Sequence, residues 1–376
     1  MTKKKFRIGM RYNLCINSEM KKILVTGGAG YIGSHFCKLL AGSGYMPVIV
    51  DNLSRGNLRH VRFGPFYNCD VRDADSITEI LLRERPDVVA HFAGYAYVNE
   101  SVQNPDMYLN NNIFGTAQLI KACAGAKIAR VLFSSSCAVY GDSSDSIHED
   151  SILRPINPYG YSKLIGENMF REFVGNKEVG SGDCGESEGG LMTSEKDLAP
   201  KEERKVIALR YFNAAGADSE GQLGAIHDPE TRIIPLTIRA ALDPNYTLSV
   251  FGDSHPTKDG TCVRDFVYIE DLCRAHMLAL KYLLKEQDPG TGSFQVFNVG
   301  TGKGISILDL ITCVEKVAGK KVKYKIVSAG KWESPMLVAD ANKIQKVLGF
   351  SAKDSKITHI VKTAYDWYEK QQSIDA

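Results

Sequence analysis

This chain of 376 residues has no two cysteines spaced Cys-x-x-Cys, no apolar run as long as a bilayer is thick, and almost no net charge. Each absence removes a class of protein. The nine cysteines (Cys15, Cys37, Cys69, Cys123, Cys137, Cys184, Cys262, Cys273 and Cys313) are scattered and odd in number. They argue for reduced thiols in a cytoplasm rather than for disulfides or zinc. Histidine spacing offers no metal site, so none is expected. A formal charge of +2 gives no electrostatic case for nucleic acid or an anionic membrane. Without a span of about 20 apolar residues, no transmembrane helix is expected. An ordinary globular composition remains, with length for one large or two ordinary domains.

Against that background a glycine-rich turn stands out. Lys22-Ile-Leu-Val-Thr reads as a buried strand of a parallel sheet, running into Gly27-Gly28-Ala29-Gly30-Tyr31-Ile32-Gly33 and then an apolar-periodic helix. Gly27 permits the tight turn, Gly30 lets backbone N–H groups approach a pyrophosphate, and Gly33 allows close helix–strand packing. The spacing is a variant of the dinucleotide fingerprint, and a glycine triplet alone is equally a flexible loop. The next strand, Pro47-Val-Ile-Val, ends at Asp51, about 20 residues beyond the turn, where a dinucleotide fold places its ribose-binding acid. An acid there repels a 2′-phosphate and favours NAD over NADP; Arg55 close by is the counter-argument.

Asn157-Pro-Tyr-Gly-Tyr-Ser-Lys carries the second signal. Tyr159 and Lys163, four apart on a helix, share one face, where the ammonium is expected to lower the pKa of the phenol and ready a general base. About one such pair is expected by chance among this many tyrosines. The serine cluster Ser134–Ser136, at the end of a predicted strand, gives the pair weight, although such a cluster also caps its own backbone.

Several segments in one order carry a resemblance: Thr26–His35, Asp51–Ser54, His91-Phe-Ala-Gly94, Asn111–Thr116, Ser134–Gly141, Tyr159–Lys163, Arg210-Tyr-Phe-Asn213 and Arg264-Asp265. The chain resembles the extended short-chain dehydrogenase/reductase superfamily, and within it the nucleotide-sugar 4-epimerases of the UDP-glucose (UDP-galactose) type. The resemblance implies Tyr159 as catalytic base, Ser136 as its relay to the sugar hydroxyl, and Lys163 on the nicotinamide ribose. It implies tightly bound NAD against Gly27, Gly30, Tyr31, Ile32, Gly33, Asp51 and Asn52. Asp70 and Val71 would meet the adenine, with Phe92, Ala93, Asn111, Tyr211 and Phe212 further along the cofactor. Ser136, Tyr159, Asn213, Arg264 and Leu337 would hold a UDP-sugar, Arg264 as a clamp on its diphosphate. A homodimer is implied as well.

The fold class expected is α/β: a doubly wound parallel Rossmann sheet followed by a smaller α/β substrate-binding domain. Strands are predicted at Phe66–Val71, Asp87–Ala93, Arg130–Ser135 and Val206–Phe212, and helices at Asp75–Arg85, Asn111–Ala124 and Pro158–Val174. Beyond Asn213 come strands Leu248–Phe251, Phe294–Val299 and Val322–Val327, and helices Ile233–Leu242, Glu270–Lys285, Ile307–Val317 and Ile357–Gln371. The predicted units are residues 20–212 for the cofactor domain and 213–376 for the substrate domain. Residues 175–205 are Gly/Ser/Glu/Lys-rich and read as a surface insertion. Residues 1–19 are basic and precede a second start-like Met20; they read as an extension, or as a targeting peptide without the apolar core of a secretory signal.

Two departures from the family pattern bear on the substrate. Tyr95-Ala96-Tyr97 replaces a lysine that many relatives carry after Phe-Ala-Gly, and no Arg-Arg-x-Gly-Asp segment is present. Ala329-Gly-Lys-Trp-Glu-Ser-Pro335 stands there instead, with Lys331 and Glu333 as partial substitutes. Other readings are a UDP-xylose/UDP-arabinose epimerase, a reductase that releases NADH, or a non-catalytic binding protein. A 4,6-dehydratase is rejected, because Ser136-Cys137-Ala138 lacks its Asp-Glu pair.

Overall fold

Short apolar runs made only of buried residues need cover on both faces, which a parallel sheet wrapped by helices supplies. In the computed structural model, which describes residues 20–142, 146–175, 203–285, 293–330 and 334–375, these runs form one sheet. Residues 1–19 and 176–202, which hold the expected extension and most of the expected insertion, lie outside the described residues.

The chain first alternates β1 (Lys22–Thr26), α1 (Tyr31–Gly42), β2 (Met46–Asp51), β3 (Phe66–Asn68), α2 (Ala74–Glu84) and β4 (Val88–His91). Two short helices, α3 (Val98–Gln103) and α4 (Pro105–Tyr108), lead through a π-helical stretch, Leu109–Phe114, into α5 (Gly115–Gly125). β5 (Arg130–Ser136), α6 (Pro158–Phe173) and β6 (Lys205–Tyr211) follow. The second part holds β7 (Asn213–Ala215), α7 (Ile233–Leu242), β8 (Leu248–Phe251), β9 (Val263–Tyr268), α8 (Ile269–Leu284), β10 (Ser293–Val299) and β11 (Gly304–Ser306). It closes with α9 (Ile307–Ala318), β12 (Tyr324–Val327), β13 (Met336–Leu337), α10 (Asn342–Leu348) and α11 (Ile357–Asp375).

The large sheet has the order β10-β6-β5-β4-β1-β2-β3, with every pairing parallel. Alternate strand residues serve opposite cores: Leu24, Val89, Val131 and Phe133 face α2, α5 and α6, while Ile23, Val25, Ala90 and Leu132 face α1 and α8. After β3 the chain returns across the sheet to β4 beside β1. This reversal opens a crevice at the carboxyl ends of β1 and β4, the place where such sheets bind ligands.

Three expectations shift. Phe294–Val299, read with the C-terminal part, completes the large sheet as β10 beside β6, so the chain past Asn213 is not confined to a separate layer. The strand predicted over Phe66–Val71 stops at Asn68, because Asp70 turns back to bind Asn52 and Arg72. The helix predicted from Asn111 starts as the π-helical stretch. There Asn112 is drawn inward, accepting from the Tyr95 amide at 2.8 Å and donating to Ser162 Oγ at 2.9 Å. Single π turns of this kind recur at functional sites.

Candidate active site

β1 delivers the glycine turn. Gly27 has φ +71°, and a Cβ on it would come within 2.6 Å of the Ala93 amide nitrogen. A Cβ on Gly33 would stand 2.2 Å from the Gly27 carbonyl oxygen, so α1 packs this close only with glycine there. Gly30 caps α1, and its amide donates to the Gly27 carbonyl at 3.0 Å. The first turn of α1 therefore opens directly onto the crevice, with unpaired backbone N–H groups suited to an anion. Asp51, buried at the end of β2, accepts the Ala29 amide at 3.1 Å and the Leu53 amide at 2.8 Å. Burial pushes its carboxyl above the usual range while these two amides hold it down. Each oxygen keeps a lone pair for a further donor.

α6 delivers the tyrosine and lysine. Asn157 caps this helix by accepting the Gly160 amide at 2.9 Å, and Pro158 occupies the first turn, where its missing N–H costs nothing. Tyr159 and Lys163 follow one turn apart on the buried face. Lys163 Nζ donates to the Ser134 carbonyl at 2.7 Å and lies 6.0 Å from the centre of the Tyr159 ring. Burial lowers its pKa to about 8, with the Glu167 carboxylate pulling the other way. The phenol of Tyr159 departs from the sequence expectation: burial pushes its pKa up, Tyr211 adds to this, and a hydrogen bond with Ser136 opposes it. Burial is the largest of these effects, because it penalises the charged phenolate, and the Lys163 ammonium is meanwhile engaged by a carbonyl.

Ser136 ends β5 and does two things at once. Its Oγ accepts the Ala138 amide at 3.2 Å, the backbone cap that such clusters make, and it faces Tyr159 across the crevice mouth. Two connected clefts meet there. The narrower, about 240 Å³, is bordered by Gly27, Gly30, Tyr31, Ile32 and Gly33 from the turn, and by Asp51, Asn52 and Val71. Phe92, Ala93, Asn111, Lys163, Tyr159 and Tyr211 complete its predicted lining. The wider, about 980 Å³, is bordered by Ser136, Asn213, Arg264, Leu337 and Phe212, and shares Tyr159 and Tyr211 with the first.

Two predicted cofactor residues fall elsewhere. Phe212 borders the wide cleft, because the register places Tyr211 opposite Ser136 and turns its neighbour to the other side. Asp70 borders neither cleft: Arg72 grips its carboxylate from Nε at 2.9 Å and Nη2 at 2.7 Å, holding the pKa down to about 2. Arg55 does reach the narrow cleft, but it pairs with Glu100 and lies over Tyr95 and Tyr97 at 5.4 and 5.3 Å. Its charge is already answered, which removes the counter-argument to an NAD site. Arg264 donates only to the Val263 carbonyl at 3.0 Å among described residues. Its neighbour Asp265 is a buried acceptor for Thr301, Gly302 and Ala339, tying β9 to the chain on either side. Lys331 and Glu333 lie outside the described residues.

His227, Glu230 and Arg232 border the wide cleft, and His227 and Arg232 also the narrow one, yet sequence reasoning passed over them. They sit on an irregular loop with no periodicity to read. The only signal was a polar cluster, His227-Asp-Pro-Glu-Thr-Arg232, directly before an apolar-periodic helix. No group of three metal-binding side chains occurs among the described residues. Buried His91 bridges Thr26 Oγ1 at 2.7 Å and Thr116 Oγ1 at 3.1 Å, a core role.

Known proteins share this architecture. The chain is 39% identical to the UDP-glucose 4-epimerase of Rhizobium meliloti (strain 1021) over 354 residues, 94% of this chain and 98% of the relative. Among solved structures, UDP-glucose 4-epimerase from Brucella ovis in complex with NAD superposes with a TM-score of 0.81 at 39% identity, covering 93% of this chain and 98% of that one. The enzyme from Bifidobacterium longum in complex with NAD+ and UDP gives 0.82 at 30% identity, with 94% and 99% covered. The profile of the NAD dependent epimerase/dehydratase family matches residues 23–300, and with these relatives it establishes that the chain belongs to that family.

Proposed function

We propose that this protein is a UDP-glucose 4-epimerase, interconverting UDP-glucose and UDP-galactose through a transient 4-keto sugar. One observation carries the reading: Tyr159 stands where the crevice bordered by the glycine turn and Asp51 meets a wider cleft, with Ser136 and Lys163 beside it. The glycine cradle, the open α1 N-terminus and Asp51 fit NAD. Bound NAD would accept and return the hydride, and that chemistry is the cofactor's own. The protein's part is proton handling and grip. Tyr159 takes the proton from the C4 hydroxyl and gives it back on the other face, and Ser136 bridges sugar and phenol. Lys163 supplies the positive charge that makes the phenolate accessible when the site is loaded. Arg264 and Asn213 hold the diphosphate and sugar while the keto sugar turns over.

The test is proton NMR of the anomeric signals with purified protein, UDP-glucose and no added NAD. UDP-galactose should appear; no conversion by protein that carries NAD would overturn the reading. The same preparation should elute at twice the chain mass. Exposed Leu109 and Phe114 on the π-helical stretch and Tyr161 on α6 offer a surface for a second copy. Free buried cysteines and the absence of a helix able to cross a membrane, among the described residues, suit a cytoplasmic enzyme.

A pH dependence follows from Lys163. Its pKa of about 8 lies below the usual lysine value, so the ammonium is charged below about pH 8 and is lost as pH rises through it. Turnover should therefore fall above about pH 8. A profile still level at about pH 10, near the ordinary lysine value, would refute this assignment.

A further inference from the structure

Between β7 and α7 the chain runs from Gly216 to Arg232 without helix or strand, yet the end of this loop borders the wide cleft. A segment with no secondary structure of its own keeps its course only through what grips its backbone. Here the grip comes from α11, much further along the chain. Thr363, Trp367 and Lys370 stand at i, i+4 and i+7, which puts them on one face of that helix. Thr363 Oγ1 accepts the Ala217 amide at 3.2 Å, and Lys370 Nζ donates to the Gly221 carbonyl at 2.6 Å. Trp367, 8% exposed, donates its indole N–H to the Ala225 carbonyl at 2.9 Å. Its ring also fills the space beside Gly224, where a Cβ would stand 2.3 Å from the indole Cδ2. Of the three, only Trp367 itself borders the wide cleft, as do Ala225, Ile226 and His227 at and just beyond its grip.

We propose that Trp367 is a positioning residue for the wide cleft: through Gly224 and Ala225 it fixes the loop that walls the sugar-nucleotide space. The proposal rests on the epimerase reading for the identity of the ligand. Tyr159 and Lys163 sit on α6 and Ser136 on β5, so releasing the loop leaves the reacting groups in place. A ligand that needs the fixed loop binds less tightly in proportion to the fraction of molecules in which the loop is set.

The experiment uses two full-length variants. Trp367→Phe removes the N–H and keeps a ring, and Gly224→Ala drives a methyl into the indole. Each is measured for KM and kcat with UDP-glucose, for NAD per chain, and for hydrogen exchange across the loop. The amides of Ala217, Asp218, Gly221 and Gln222 are all hydrogen-bonded and report its release. KM should rise about three- to tenfold in Trp367→Phe, the range of one hydrogen bond, with kcat and NAD content within about twofold of wild type. Gly224→Ala should raise KM further and speed exchange of the loop amides. Gly224→Ala/Trp367→Leu makes room for the methyl and should restore part of the protection; it also carries the test with Trp367→Phe where Gly224→Ala does not fold. A tryptophan that serves stability alone would lower the melting temperature and the active fraction with KM unchanged, and that result overturns the proposal. So do unchanged loop exchange, or loss of NAD in place of the rise in KM. Wild-type protein that holds NAD but leaves UDP-glucose unconverted overturns the epimerase reading instead, and the exchange rates still decide whether Trp367 fixes the loop.

Discussion

Tyr159→Phe should keep its NAD and lose turnover by a factor of about 10²–10⁴, the usual contribution of a positioned acid–base group. The ring is buried and stands edge-on to Tyr108 at 6.5 Å between centres, so phenylalanine fills the same space without a cavity. Only the hydroxyl goes, with its hydrogen bond to Ser136 and its capacity to take the C4 proton. Two readouts separate chemistry from binding: NAD per chain, and kcat from the anomeric NMR signals. A variant within about tenfold of the wild-type rate would mean another group moves the proton. A variant that has shed its NAD would mean the hydroxyl serves mainly to hold the cofactor.

Glu167→Ala should destabilise the fold by about 3–5 kcal/mol, because it strands a buried charge. Arg210 on β6 is 1% exposed and binds Glu167 on α6 twice, Nη2 to Oε2 at 2.6 Å and Nε to Oε1 at 2.8 Å. Ser135 Oγ donates to the same carboxylate at 2.5 Å, and Arg210 Nη1 donates to the Tyr140 hydroxyl at 2.9 Å. Chemical denaturation measures the loss, and Glu167→Leu/Arg210→Met should recover much of it, since both charges leave together. A single variant that loses less than about 1 kcal/mol would show water reaching Arg210 after all. The network also reaches the chemistry. Glu167 is the acid that raises the pKa of Lys163, so without it the lysine loses its proton at lower pH, and the basic limb of activity should move down with it.

Much of the site could be read from the chain, for a local reason. Each motif marks a sharp event in backbone geometry: a glycine where a Cβ would strike the Gly27 carbonyl, a cap and proline opening α6, serines closing β5. Helix Ile233–Leu242 and strand Leu248–Phe251 fall where periodicity predicts them, because each has one clear buried pattern. The seven-residue strand Ser293–Val299 was legible as a strand but not in its partner. Pairing with β6 is a contact between segments far apart in sequence, and no local pattern encodes it.

Residue type and spacing by themselves determined the parallel sheet, the dinucleotide turn and the placing of Tyr159 and Lys163 on one helix face. Tertiary structure alone decided their electrostatics. Burial pushes the Tyr159 phenol up where spacing suggested a lowered pKa, and the Lys163 ammonium donates to the Ser134 carbonyl. The fold also pairs Asp70 with Arg72 and brings Arg232 from an aperiodic loop to the cleft junction. Desolvation and competing partners depend on atoms contributed from across the fold, whereas turns, caps and periodicity are properties of neighbouring residues.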